Sequence, residues 1–269
     1  MTMEAVALSD AATLTSWTRT LNEDDALTLV DNAFAGMSID AWTELADRLL
    51  PQAGAARRRE LIRMVRDELL DVRDDAVVAS AWLRLFQDGN PHRRVGLLYG
   101  RLWWNRPLVL RALDELVHPA LERADRPLPP YDADLIEPDV WDRFVRAALR
   151  PDVPSEAFAK TRSTVRGALR SVGVLEISGN HGRTCRVQHG RPDPLAFAWV
   201  VARELIDRPE QSEPWAARKS FAARLFAPRA DYAATCLDAG VAAGLLRRGH
   251  LMAQSRLYAG PGMLMGGAA

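Results

Sequence analysis

The sequence predicts a mainly α protein in two parts: an N-terminal helical bundle, then a half in which helices lead into a short β-hairpin. Three observations carry this. Apolar residues recur every three and four positions through the first half, a proline-rich stretch interrupts the chain near its middle, and the period changes to two between residues 174 and 187. The 269 residues suit one or two domains, and 48% hydrophobic with 26% charged residues is an ordinary globular composition.

Trp42, Leu45 and Leu49 open the helical pattern behind Ser38, a cap residue type. Pro51 and Gly54 precede a second helix over 55–72, in which Leu61, Met64, Val65 and Leu69 form one stripe. A third apolar pattern covers 75–87 up to the Asp88-Gly89-Asn90-Pro91 turn. A fourth covers 92–104, and a fifth follows Pro107 over 108–123. Short loops join them, as in a bundle.

Arg126-Pro127-Leu128-Pro129-Pro130-Tyr131 is too proline-rich for a helix and reads as a connector. The expected domains are therefore 1–125 (helical), 126–137 (connector), 138–260 (the hairpin-bearing half) and 261–269 (a frayed tail). Beyond the connector, a helix is expected over 138–149, a short helix from Ser155, and another over Thr161–Val172. Strands at 174–177 and 183–187 flank Ser178-Gly179-Asn180-His181-Gly182. This order is that of a winged helix-turn-helix module. The last segment repeats it more weakly: helices at 194–206, 214–226 and 231–243, then a possible hairpin over 245–258.

Net charge is zero, with 35 basic and 35 acidic residues, but it is segregated. Residues 1–50 hold nine acids and two bases, whereas 155–191 hold seven bases and two acids. A local basic patch, more than total charge, sets the field that a polyanion meets. On the Thr161–Val172 helix, Val165, Ala168, Leu169 and Val172 would be buried, leaving Arg162, Ser163, Arg166 and Arg170 outward. Arginines at four-residue steps suit phosphates and guanine edges, and Thr161 and Ser163 add short hydrogen bonds near the helix start. Lys160 extends the basic run, and His181, Arg183 and Arg186 would place polar groups on the wing. The expected DNA-binding set is thus Lys160, Thr161, Arg162, Ser163, Arg166, Arg170, His181, Arg183 and Arg186, with double-stranded DNA as partner. No Asn or Gln lies on the helix to read adenine.

The smaller basic clusters at Arg57–Arg59 and His92–Arg94 read as solvated faces, paired with acids such as Glu60, Asp67 and Glu68, ahead of phosphate sites. Tyr99–Trp104, rich in aromatics and arginine, reads as packing ahead of base stacking. Nucleotide, hydrolase and zinc motifs are absent from the sequence, so no enzyme, cofactor or metal is expected. His181, His189 and Asp193 form only an outlying metal or nuclease candidate. Cys185 and Cys236 lack any disulfide or zinc spacing. The longest apolar run, residues 195–202, is too short for a bilayer, and the acidic N-terminus is unlike a signal peptide, so a cytoplasmic protein without membrane contact is expected.

The Arg-rich helix at 55–72, the long apolar helix at 97–117, Trp141-Asp142-Arg143-Phe144 and, above all, Lys160–Glu176 resemble, in order and kind, the BrxA-like proteins of bacteriophage-exclusion (BREX) defence systems. The resemblance spans about residues 55–190. It implies a non-enzymatic double-stranded-DNA-binding accessory protein working beside other defence proteins, with Arg162, Arg166 and Arg170 on the recognition helix. The acidic N-terminal extension and the longer C-terminal segment depart from that pattern. The competing reading is a protein-interaction adaptor, docking other subunits through the acidic segment and Tyr99–Trp104 and using the winged helix for protein contacts.

Overall fold

The structure is a computed structural model that describes residues 23–50, 54–102, 107–149, 152–179, 184–209, 211–251 and 254–264. Trp103, Trp104, His181, Arg183 and the residues before 23 lie outside these. The protein is mainly helical, with small antiparallel sheets. Among the described residues no helix is long and apolar enough to cross a membrane.

A lone strand or bridge, then helices, then a hairpin occur in that order three times. Helix α1 (Glu23–Asp31) is followed by a bridge at Ser38, α2 (Ile39–Leu49), α3 (Ala55–Met64, extended by a π-helical turn Val65–Leu69), and the hairpin β1 (Val72–Arg73) and β2 (Ala76–Val77). After α4 (Ala81–Gln87) and α5 (Pro91–Leu102) comes α6 (Pro107–Ala112), a π-helical turn Leu113–Val117 and α7 (His118–Ala124). The order then restarts: β3 (Leu135–Ile136), α8 (Pro138–Ala148), α9 (Ser155–Ser171), β4 (Leu175–Ser178) and β5 (Thr184–Val187). The third pass runs α10 (Pro194–Asp207), β6 (Gln211–Ser212), α11 (Glu213–Arg218), α12 (Phe221–Phe226), α13 (Ala230–Ala242), β7 (Leu246–Leu251) and β8 (Gln254–Ala259). Each time the lone strand or bridge pairs with the second hairpin strand: Ser38 with Ala76, β3 with β5, β6 with β8.

The last two repeats also end the helix before their hairpin alike. Gly173 (φ +78°) and Gly244 (φ +72°) take the left-handed conformation that a C′ glycine tolerates. Gly173 N donates to Arg170 O and Val174 N to Leu169 O; Gly244 N donates to Val241 O and Leu245 N to Gly240 O. This Schellman geometry turns each helix directly into its hairpin.

The sequence places a helix end at 72 and a helix start at 75, where the structure has the first hairpin. Asp74 (φ +50°) and Asp75 (φ +57°) make the tight turn without a glycine, using the tolerance of Asp for positive φ. At the far end, 261–264 is not a frayed tail but a helical turn, α14 (Pro261–Leu264), tied back by Gly260 N to Leu245 O and Gly262 N to Gly244 O.

The chain forms two compact units, one of residues 111–188 and the other of 23–110 with 189–264. Arg126–Tyr131, the expected connector, is an exposed loop between α7 and β3, inside the first unit. Residues beyond 189 join the earlier helices because α10 packs against α5 and α13. Glycines permit the close approach. A Cβ at Gly96 would lie 2.9 Å from Ala196 Cβ, one at Gly100 2.5 Å from Val200 Cγ2, and one at Gly240 2.4 Å from Ala198 Cβ. Residues 196–202 of α10 are accordingly all buried.

Candidate nucleic-acid interface

The basic stretch of the sequence folds as α8, α9 and the β4–β5 hairpin in the unit of residues 111–188. Pro138 starts α8, whose Trp141, Phe144, Val145 and Ala148 are buried at spacings of three and four. Trp141 and Phe144 meet edge to face at 6.4 Å. The region between α8 and Pro154 contains two prolines, Pro151 and Pro154, which bar helix continuation. Helix α9 then runs unbroken from Ser155 to Ser171, correcting the expected break before Thr161: no glycine or proline intervenes until Gly167, and Ala157 and Phe158 are half-buried ahead of the stripe.

Its buried stripe is Thr161, Val165, Ala168 and Leu169, continued by Val172. Directly opposite, Lys160, Ser163 and Arg170 are exposed, and a Cβ on Gly167 between them would meet open space. Steps of three, four and three residues align these four positions on one face. That stripe is rotated from the expected one. Thr161 is only 2% exposed and its hydroxyl donates to Ala157 O, so it belongs to the core.

Arg162 and Arg166 flank the buried stripe and turn toward partners elsewhere in the unit. Arg162 pairs with Asp142 of α8 and lies 5.9 Å over the Phe158 ring. Arg166 is half-buried and reaches the Cys185 thiol on β5. Burial raises the pKa of that thiol, and Arg166 offsets only part of the rise. On the hairpin, Arg186 holds Asp134 at 2.6 Å and Asp132 at 3.2 Å, and these carboxylates raise its pKa. His181 and Arg183 fall outside the described residues. Of the nine residues expected to contact DNA, Lys160, Ser163 and Arg170 thus share a solvent face, while Thr161, Arg162, Arg166 and Arg186 are engaged within the unit. Gly167 was not singled out; its position midway along an exposed basic stripe was the available signal.

Other candidates are also used internally. Asp193 caps α10, accepting from Leu195 N and Ala196 N, and pairs with Arg93 at 2.9 Å. His189 Nδ1 lies 3.0 Å from Ala227 O. Arg94 donates to the carbonyls of Phe86, Gln87 and Gly89 at the end of α4. Tyr99 is buried with its hydroxyl 2.7 Å from Glu23, and Arg101 forks onto Asp71 above the Trp82 ring. In that pair, burial would raise the pKa of Asp71, but the hydrogen bonds and charge of Arg101 prevail and lower it. Cys185 and Cys236 are free and buried, the latter with its pKa pushed up to about 12 by burial and by nearby Asp193. No family model, curated protein or solved structure matches this chain.

Proposed function

We propose that the chain is a non-enzymatic double-stranded-DNA-binding accessory protein whose unit of residues 111–188 acts as a winged-helix module. The observation that carries this reading is the solvent face of α9: two cations, a hydroxyl and a glycine in line, on the helix that precedes the hairpin. In such modules that helix enters the major groove and the hairpin follows the flanking backbone. Lys160 and Arg170 supply charge, Ser163 a short hydrogen bond, and Gly167 a place where the helix backbone can come close to a phosphate or base edge. Arg162 and Arg186, neutralised by Asp142, Asp132 and Asp134, act instead as struts that hold α9 and the hairpin in place. With two cations and no amide on the face, the binding is mainly to backbone and weakly selective for sequence. A role in a bacterial phage-defence system rests on the sequence resemblance.

The test is fluorescence anisotropy of a labelled random-sequence duplex across a salt series. Binding that weakens with salt and is lost in Lys160→Glu/Arg170→Glu supports the reading. A folded wild-type protein that binds no duplex at low salt overturns it.

A further inference from the structure

The first repeat offers a second basic surface. A groove of about 640 Å³ runs between α2 and α3, lined by Arg48, Arg59, Arg63 and Arg66, with Glu44 and Asp47 on its α2 side. Sequence reasoning assigns this helix to a solvated face of paired charges, and part of it is so. Arg57 pairs with Glu60 at 3.3 Å, Arg58 with Asp47 at 2.8 Å, and Arg66 with Asp67 at 2.7 Å. Arg48, Arg59 and Arg63, however, make no ion pair with any described residue. Asp47 is already held by Arg58. Arg59 and Arg63 stand four residues apart, a like-charge spacing that destabilises a helix. Arg59 also lies near the N-terminus of α3, whose first turn holds no acid and where positive charge opposes the helix dipole.

From these observations we infer that the α2–α3 groove is a phosphate-binding surface for a nucleic-acid strand, additional to the α9 face. Arg59 and Arg63 stand about 6 Å apart along the helix at 1.5 Å per residue, and Arg48 faces the same groove from α2. Three guanidinium groups spread in this way fit a run of backbone phosphates better than a single anion. In its own repeat α3 holds the place that α9 holds in the second, which makes it the helix presented beside a hairpin in both. The equivalent helix of the third repeat, α13, carries Asp231 and Asp238 and no base, so the basic character is not a general feature of the repeat. The inference rests on the proposal that the protein binds DNA, but on a different surface.

The experiment measures duplex binding against salt for the full-length protein, for Arg59→Ala/Arg63→Ala, for Lys160→Ala/Arg170→Ala, and for a control pair, Arg218→Ala/Arg229→Ala, that removes equal charge elsewhere. Circular dichroism checks that each is folded. Loss of two phosphate contacts lowers the slope of log K against log salt by about 1.8; this is expected for the groove pair and not for the control. An unchanged groove pair overturns the inference while leaving the α9 reading intact. A groove effect with no α9 effect does the reverse. Equal effects from groove and control pairs reduce the groove to general charge and overturn the inference, and a wild type that binds no duplex overturns both. A melting temperature raised by millimolar ATP in the wild type but not in the groove pair would make the groove a mononucleotide site instead of a strand site, and also overturns it.

Discussion

The same substitution, glycine to alanine, should act with opposite sign on two helices of this protein. In a helix interior alanine is favoured over glycine by about 0.8–1.0 kcal/mol. At Gly167 a new Cβ meets nothing within 4 Å, so the whole gain is realised and the unit of residues 111–188 becomes more stable by about 1 kcal/mol. At Gly100 the new Cβ would stand 2.5 Å from Cγ2 of the fully buried Val200, and α5 and α10 must separate or Val200 must leave its rotamer. Overpacking of that kind costs about 1–3 kcal/mol, so after the propensity gain the net change is a loss of about 1 kcal/mol. Urea unfolding resolves both: with a slope near 2 kcal/mol/M, the midpoints shift by about 0.5 M in opposite directions. A Gly100→Ala protein whose midpoint rises as that of Gly167→Ala does would refute the close packing of α5 on α10, and with it the assignment of residues beyond 189 to the unit of the early helices.

Other predictions follow from the ion pairs and buried groups. A double-mutant cycle of Arg162→Ala and Asp142→Ala should give a coupling below about 1 kcal/mol, as both partners are about a third exposed, with almost no change in duplex affinity; a large loss of affinity would return Arg162 to the contact face. Burial raises the pKa of Glu204, whose carboxylate accepts a hydrogen bond from Phe221 N. The folded state then binds more protons than the unfolded one, so stability is greatest below the ordinary carboxylate value of 4.5 and falls as pH rises through the raised one. Glu204→Gln should flatten that decline in urea midpoints measured from pH 4 upward, and an unchanged pH profile would contradict the assignment. Cys236, with its pKa at about 12, and the buried Cys185 should resist alkylation at pH 8 until the protein unfolds; labelling of either thiol in the native state would show that its site is open.

Much of the fold was legible because its signals are local. The helical periods over 138–149 and 194–206, the proline at each of their starts, and the two-residue alternation around Cys185 correspond to α8, α10 and the β4–β5 hairpin. The Asp74–Asp75 hairpin was hidden because aspartates turn a chain less conspicuously than glycine, and because apolar residues on both sides continue a helical rhythm. The return of α10 to α5 depends on Gly96 and Gly100 meeting Ala196 and Val200 a hundred residues later, a match of small surfaces with no local trace. The candidate interface was half legible for the same reason. Charge density marked α9, but which arginines face water depends on Asp142, Asp132, Asp134 and Cys185, each contributed by another element.

The most direct test of the account compares two alanine pairs on one duplex: Lys160→Ala/Arg170→Ala on the open face of α9, and Arg162→Ala/Arg186→Ala among the ion-paired arginines. Each removes two positive charges from the same unit. The account predicts that the first pair lowers the salt slope by about 1.8 and weakens binding, whereas the second leaves the slope nearly unchanged. An unchanged slope for the first pair, with a loss in the second, would contradict it and place the contact on the arginines that the structure shows paired.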